Sequence, residues 1–337
     1  MSFDVISHKE YPFQHNRHHG DGVFLNPKGS AHYRDGRYSG AMLGLIAELA
    51  LAGNRRFNYP PEHVFPRHRA LAGLSQLEHT AGLTWLGQAC YYLGSPKYGI
   101  LTDPFLSHRA SPVPFSGPKR LVPAPIHPGD LPRLDAIVIS HNHYDHLDTV
   151  TLKRLKDKSI PVITTLGTGD VIRRQGLEQV VELDWYQQVE VNGIRYTALP
   201  CYHFSGRSVK DSNRALWASF AIETPDAKVF FAGDTGYGDV FKTIGRTMGP
   251  FDVALLPIGA YGPRAIMAKV HADPEEAVAI GEDVGARFMA AMHWGTVRLT
   301  NEPMMEPKVR FEAALPSPSR GKAFGVGETQ TYIRLGL

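Results

Sequence analysis

Residues 135–146 read DAIVISHNHYDH: a short apolar run, Asp135 to Ser140, that delivers His141, His143, Asp145 and His146 in quick succession. Three histidines and an aspartate within six residues cannot share one face of a strand or helix. They suit a turn wrapped around a metal. His141 and His143 are two apart and point the same way in extended chain. Asp145 and His146 fall in the following turn and are placed to face a second metal. A helix-like segment, Thr149 to Lys158, follows, with Asp148 either capping it or orienting a ligand imidazole.

Working outward, the same arrangement recurs. Arg195 to Pro200 leads into CYHFSGR with His203, and Lys228 to Ala232 leads into GDTGYG with Asp234. Arg287 to Met292 leads into HWGT with His293. Further apolar runs are Pro161 to Thr165, Leu216 to Glu223 and Val253 to Pro257. Alone, a histidine after a strand is ordinarily structural, and Asp234 would serve as a turn cap. Four strand ends that each carry His or Asp point to loops converging on one place. Between the strands, Asp239 to Thr247 and Pro274 to Val284 read as helices, the second started by Asp273 and Pro274. Leu83, Trp85, Gly87, Ala89, Tyr91 and Leu93 read as one face of a strand that pairs with Tyr98 to Thr102 in a hairpin. Residues 107–133 form a Pro-rich loop.

Composition sets the bounds. The 337 residues carry a formal net charge of +3, with 43% hydrophobic and 20% charged residues, which is ordinary globular material. No clustered basic face calls for nucleic acid. Two cysteines, Cys90 and Cys201, make no CxxC pair, so a cysteine zinc site is excluded and two buried thiols are expected. Sixteen histidines are many for this length. Residues 1–80 read as an N-terminal extension and 81–337 as the catalytic domain. The extension starts with a polar stretch that has no apolar h-region, so a cytoplasmic protein is expected. Met42 to Ala52 reads as a helix too short to span a bilayer, flanked by Arg37, Arg55 and Arg56. It is either a packing helix or a peripheral contact with an anionic membrane.

HxHxDH, a distant His, a GD and a final His resemble the ligand order of the metallo-β-lactamase superfamily. The resemblance implies an α/β fold, a four-layer αβ/βα sandwich. It implies one metal on His141, His143 and His203, a second on Asp145, His146 and His293, and Asp234 between them. Nitrogen and carboxylate donors without thiolate suit two zinc ions, with iron or manganese as alternatives. WLGQA, ILTDP, SHNHYDHLD, ELDW, HFSGR, FFAGDTGYG, the block from Phe230 to Ala277, and HWGT narrow the resemblance. From about residue 83 to 315 the chain looks like the N-acylphosphatidylethanolamine-hydrolysing phospholipase D family. That implies hydrolysis of a phospholipid phosphodiester to N-acylethanolamine and phosphatidate by a hydroxide held between two metals. The alternative is a hydrolase of the same fold acting on a soluble phosphodiester, a lactone or a β-lactam. His271, in VHADPEEA, matches an active-site histidine outside the metal shell, with catalytic and substrate-binding roles. Tyr261 and Arg264, in IGAYGPR, are further substrate-binding candidates, while Arg207 reads as a solvated loop residue. Val270 and Phe204 depart from the family's usual polar and Trp residues, which bears on the substrate pocket. A homodimer stays open.

Overall fold

The computed structural model describes residues 3–7, 18–27, 57–208 and 210–337. The helix expected over Met42 to Ala52 lies outside them. Two mixed sheets carry the chain. The first runs β2 (Gly82–Gly87), β3 (Cys90–Gly94), β4 (Gly99–Thr102), β5 (Ala136–Val138), β6 (Val162–Thr165) and β7 (Val180–Leu183), with β15 (Thr329–Thr331) on the outer edge of β2. The second is ordered β1 (Val5–Ser7), β8 (Gln187–Val191), β9 (Ile194–Leu199), β10 (Ser219–Glu223), β11 (Lys228–Phe231), β12 (Phe251–Pro257), β13 (Ala286–Met292), β14 (Gly321–Lys322).

Side-chain alternation explains the layering. Tyr91, Leu93, Ile100, Ala136 and Val138 face the second sheet and join Tyr196, Phe220, Phe231 and Leu255 in one core. Their neighbours Tyr92, Leu101, Ile137 and Ile139 face the other way. There they meet Ala70 and Leu74 of α1 (Arg67–Gln76), Leu152 of α2 (Thr149–Arg154) and Ile172 of α3 (Gly169–Arg173). Strands covered on both faces read as continuous apolar runs, and AIV and VFF are such runs. Each fully buried Phe or Leu contributes about 1.5–3 kcal/mol over an exposed one.

The second sheet is covered by α4 (Val240–Met248) and α6 (Pro274–Asp283), with the one-turn helix α5 (Arg264–Met267) between them in sequence. Val240, Phe241, Ile244 and Met248 form the apolar stripe of α4. Asp273 caps α6 by accepting from Glu276 N, and Glu276 returns a bond to Asp273 N. Gly281 lets α6 close on β13, since a Cβ there would meet Met289 Sδ at 2.6 Å. Shorter helices end the chain, α7 (Glu306–Ala314) and α8 (Tyr332–Leu335).

Two expectations need correction. The single strand read from Leu83 to Leu93 is two strands, because Gly87 and Gln88 turn the chain with φ of 100° and 53°. The result is a three-strand meander rather than a hairpin. The helix after the histidine cluster stops at Arg154, with Leu155 extended, not at Lys158.

Candidate metal centre

β9, β11, β12 and β13 run in one direction, as do β4, β5 and β6. Their C-terminal ends supply the site. His141 follows β5, His203 follows β9, Asp234 follows β11 and His293 follows β13. Gly233, at φ 65°, puts Asp234 in place: a Cβ there would meet Ser140 Cβ at 2.8 Å and Ala218 O at 3.1 Å. His293 itself sits at φ 61°, an unusual conformation for a non-glycine residue, fixed by its N–H donating to Gln88 O at 2.9 Å.

The structure brings all seven expected ligands together. His141, His143 and His203 form one triad, and Asp145, His146 and His293 another, with ligand atoms inside each triad within 4.8 Å of one another. Asp234 Oδ2 lies between them, 3.0 Å from His146 Nε2, 3.1 Å from His293 Nε2, 3.8 Å from His203 Nε2 and 4.0 Å from His141 Nε2. Six of the seven are buried, and His143 is half-buried.

The electrostatics separate the two triads. Burial, then the neighbouring imidazoles, hold His141 well below its usual range. Burial and His203 bring His143 down to about 3. Burial brings His203 down to about 4 against the pull of Asp234. These three are neutral, the state a metal ligand requires. Burial also works against charge on His146 and His293, but Asp234 and Asp145 outweigh it, and His293 rises to about 9. Burial would raise Asp145 and Asp234, yet His146 and His293 hold both well below the carboxylate range.

The donor set fits a pair of divalent ions. Outer nitrogens of three of these rings are anchored: His141 Nδ1 to Ser140 Oγ at 2.9 Å, His203 Nδ1 to Val270 O at 2.9 Å, His146 Nδ1 to Asp103 Oδ2 at 2.6 Å. That fixes each ring and leaves its inner nitrogen for a metal. Asp234 Oδ1 is fully buried without a hydrogen-bond partner, which costs free energy unless another ligand takes it.

A sequence profile described as "Beta-lactamase superfamily domain" matches residues 98–294, more than half of the chain and all seven candidate ligands. The chain belongs to the metallo-β-lactamase superfamily. An uncharacterized protein of Mycobacterium tuberculosis is 43% identical over 238 residues, 69% of this chain and 63% of that protein's length. N-acyl-phosphatidylethanolamine-hydrolyzing phospholipase D 1 of Caenorhabditis elegans is 37% identical over 86% of this chain and 85% of its own. A possible metal-dependent hydrolase from Veillonella parvula shares the fold, with a TM-score of 0.61 at 20% identity over 75% of this chain and 100% of its own.

The remaining candidates fall around the centre. His271 offers a ring nitrogen within 4.8 Å of Asp234 and His203. Burial holds it neutral, and its buried Nδ1 has no partner. Arg264 is half-exposed and donates to His271 O at 2.8 Å and Glu276 Oε2 at 2.6 Å. The Tyr261 hydroxyl donates to Glu306 Oε1 at 2.5 Å. Arg207 is not solvated: it lies 3.8 Å over the Tyr144 ring and donates to Asn142 O and Leu147 O, both at 2.9 Å. Asp148 is the cap of α2, accepting from Val150 N, Ser107 N and Thr151 Oγ1.

Sequence reading missed three residues. Asp103, fully buried after β4, holds His146 and accepts from Ser140 N and Oγ. Its signal was the strand-end aspartate of ILTDP, the same signal as Asp234. Gln88 donates to Asp145 Oδ2 at 2.8 Å. Asn26 clamps the His203 backbone, donating to its O at 2.8 Å and accepting from its N at 2.9 Å. The cysteines are buried free thiols as expected, and burial pushes Cys90 up to about 12. Among the described residues no helix is long and apolar enough to cross a membrane.

Proposed function

We propose that the protein is a zinc-dependent phosphodiesterase of phospholipase D type that cleaves N-acylphosphatidylethanolamine to N-acylethanolamine and phosphatidate. The observation that carries the substrate is the 37% identity to the nematode phospholipase D, running through the whole strand-end constellation. When bound, two divalent ions supply Lewis acidity toward a phosphoryl oxygen and lower the pKa of a water.

In this reading the chain's residues divide the remaining work. His141, His143 and His203 would hold one ion and Asp145, His146 and His293 the other, with Asp234 lying between the two triads. Asp103, Ser140 and Gln88 keep the ligand rings and the Asp145 carboxylate from rotating. His271, neutral beside Asp234, takes up or hands on a proton at its unpartnered Nδ1. Arg264, paired with Glu276 and Asp273, holds His271 in place through its backbone oxygen. Tyr261, on the same loop, is proposed as a substrate contact. The loaded centre carries net positive charge and so favours an anionic diester. Reaching a lipid implies peripheral contact with a membrane surface.

The test is product analysis. The zinc-analysed protein is incubated with N-acylphosphatidylethanolamine in mixed micelles, with a soluble phosphodiester in parallel. Release of N-acylethanolamine and phosphatidate, lost in Asp234→Ala, is the expected result. Hydrolysis of the soluble ester alone would keep the hydrolase and overturn the lipid substrate.

A further inference from the structure

Away from the binuclear cluster, a second set of metal-type donors gathers. His18 Nε2 lies 2.6 Å from Asp184 Oδ1, and His19 Nε2 lies 2.8 Å from Asp184 Oδ2. The three donors fall within 4.8 Å of one another. Asp184 follows β7, so it is one more strand-end aspartate, on the sheet that also delivers Asp103 and His141. We infer that His18, His19 and Asp184 form a third metal site, for a zinc-class divalent ion, which fastens the N-terminal segment to the catalytic sheet.

Geometry carries the inference. His18 lies in a turn and His19 in an isolated bridge to Phe24. From there both rings bring their Nε2 atoms, the ends remote from the backbone, onto one carboxylate. Their rings sit 4.5 Å apart edge to face. His18 is buried and stacks on Trp185 at 4.2 Å, and His19 meets Phe24 at 5.1 Å. Trp185 N donates to Asp184 Oδ1 at 2.7 Å, and Asp184 N donates to Gln187 Oε1 at 2.9 Å, so the aspartate is held from both sides. Two imidazole nitrogens and a carboxylate oxygen on fixed rings suit zinc, with water at the fourth position. His19 is about a third exposed, which gives the ion a path in.

The site has a consequence for the centre described above. Eight residues beyond His18 along the same segment, Asn26 holds both backbone polar groups of His203. An ion on His18, His19 and Asp184 therefore anchors the segment that positions a catalytic-centre ligand.

The experiment counts zinc. The full chain is stripped with a chelator, reloaded, and dialysed against buffered free zinc beside His19→Ala and Asp184→Asn. The wild type is expected to hold one zinc more per chain than either variant. Equal zinc in wild type and His19→Ala overturns the proposal and leaves a plain ion pair. His19 is exposed enough that its removal leaves the fold intact, so a misfolded Asp184→Asn does not decide the matter. If the binuclear reading failed instead, all three proteins would lose the same zinc and the difference of one would stand.

Discussion

The molecule holds two gatherings of histidine and aspartate, and they differ in what surrounds them. The central one is assembled from four strand ends, is almost wholly buried, and leaves Asp234 Oδ1 without a hydrogen-bond partner. The outer one, His18, His19 and Asp184, is half-exposed, and each imidazole already has a carboxylate oxygen. Burial is what separates them. In the centre, desolvation holds three imidazoles neutral and makes every unpartnered atom costly, so metal binding relieves a standing penalty. Outside, an ion competes with an ion pair that is satisfied without it. The central centre is therefore expected to hold its metals tightly and the outer site to exchange them readily.

The largest effect expected of this contrast is at Asp234. Asp234→Ala removes the carboxylate that lies between the two triads, and hydrolysis is expected to fall to background while zinc per chain drops. Retained activity with metals bound would erase the distinction between the centre and an ordinary polar cluster. Asp103→Ala comes next. It frees His146 Nδ1 without touching a donor atom, and zinc affinity or activity is expected to fall about 10–100-fold. Zinc titration against a competing chelator, run beside the activity assay, checks it.

Asp103 also shows what was legible and what was not. HNHYDH announced itself because its donors are packed into six consecutive residues, and the strand-end pattern brought in His203, Asp234 and His293. Gln88 and Asn26 act across 57 and 177 residues of chain and no local spacing marks them, while Asp103 acts across 43 residues from the strand end of ILTDP. The strands were legible from apolar runs and the sandwich from the resemblance, but the break at Gly87 and Gln88 was not, because alternation continues through the turn and only the positive φ values cut the strand. Arg207 was misread for a related reason. Its two carbonyl partners, Asn142 and Leu147, lie on the metal loop 60 or more residues away.

Asn26→Ala tests the link between the two regions. It strips both backbone partners from buried His203 and one acceptor from Trp217 Nε1. Stability is expected to fall by about 1–3 kcal/mol in chemical denaturation. Zinc affinity is expected to fall at the low end of the positioning range, about 10-fold. Unchanged affinity would mean that the N-terminal segment merely rests on the centre. The smallest effect belongs to His19→Ala in chelator-stripped protein. A half-exposed ion pair is worth under about 1 kcal/mol, so the unfolding midpoint is expected to move little. A large loss without zinc would make the outer cluster structural in its own right and narrow the contrast.

The most direct test of the central claim is anomalous diffraction at the zinc edge from crystals of the zinc-loaded protein. The account predicts two peaks about 3.5–4 Å apart, one against His141, His143 and His203, the other against Asp145, His146 and His293, with Asp234 between. A single peak, or zinc bound elsewhere with these seven side chains unligated, would contradict it.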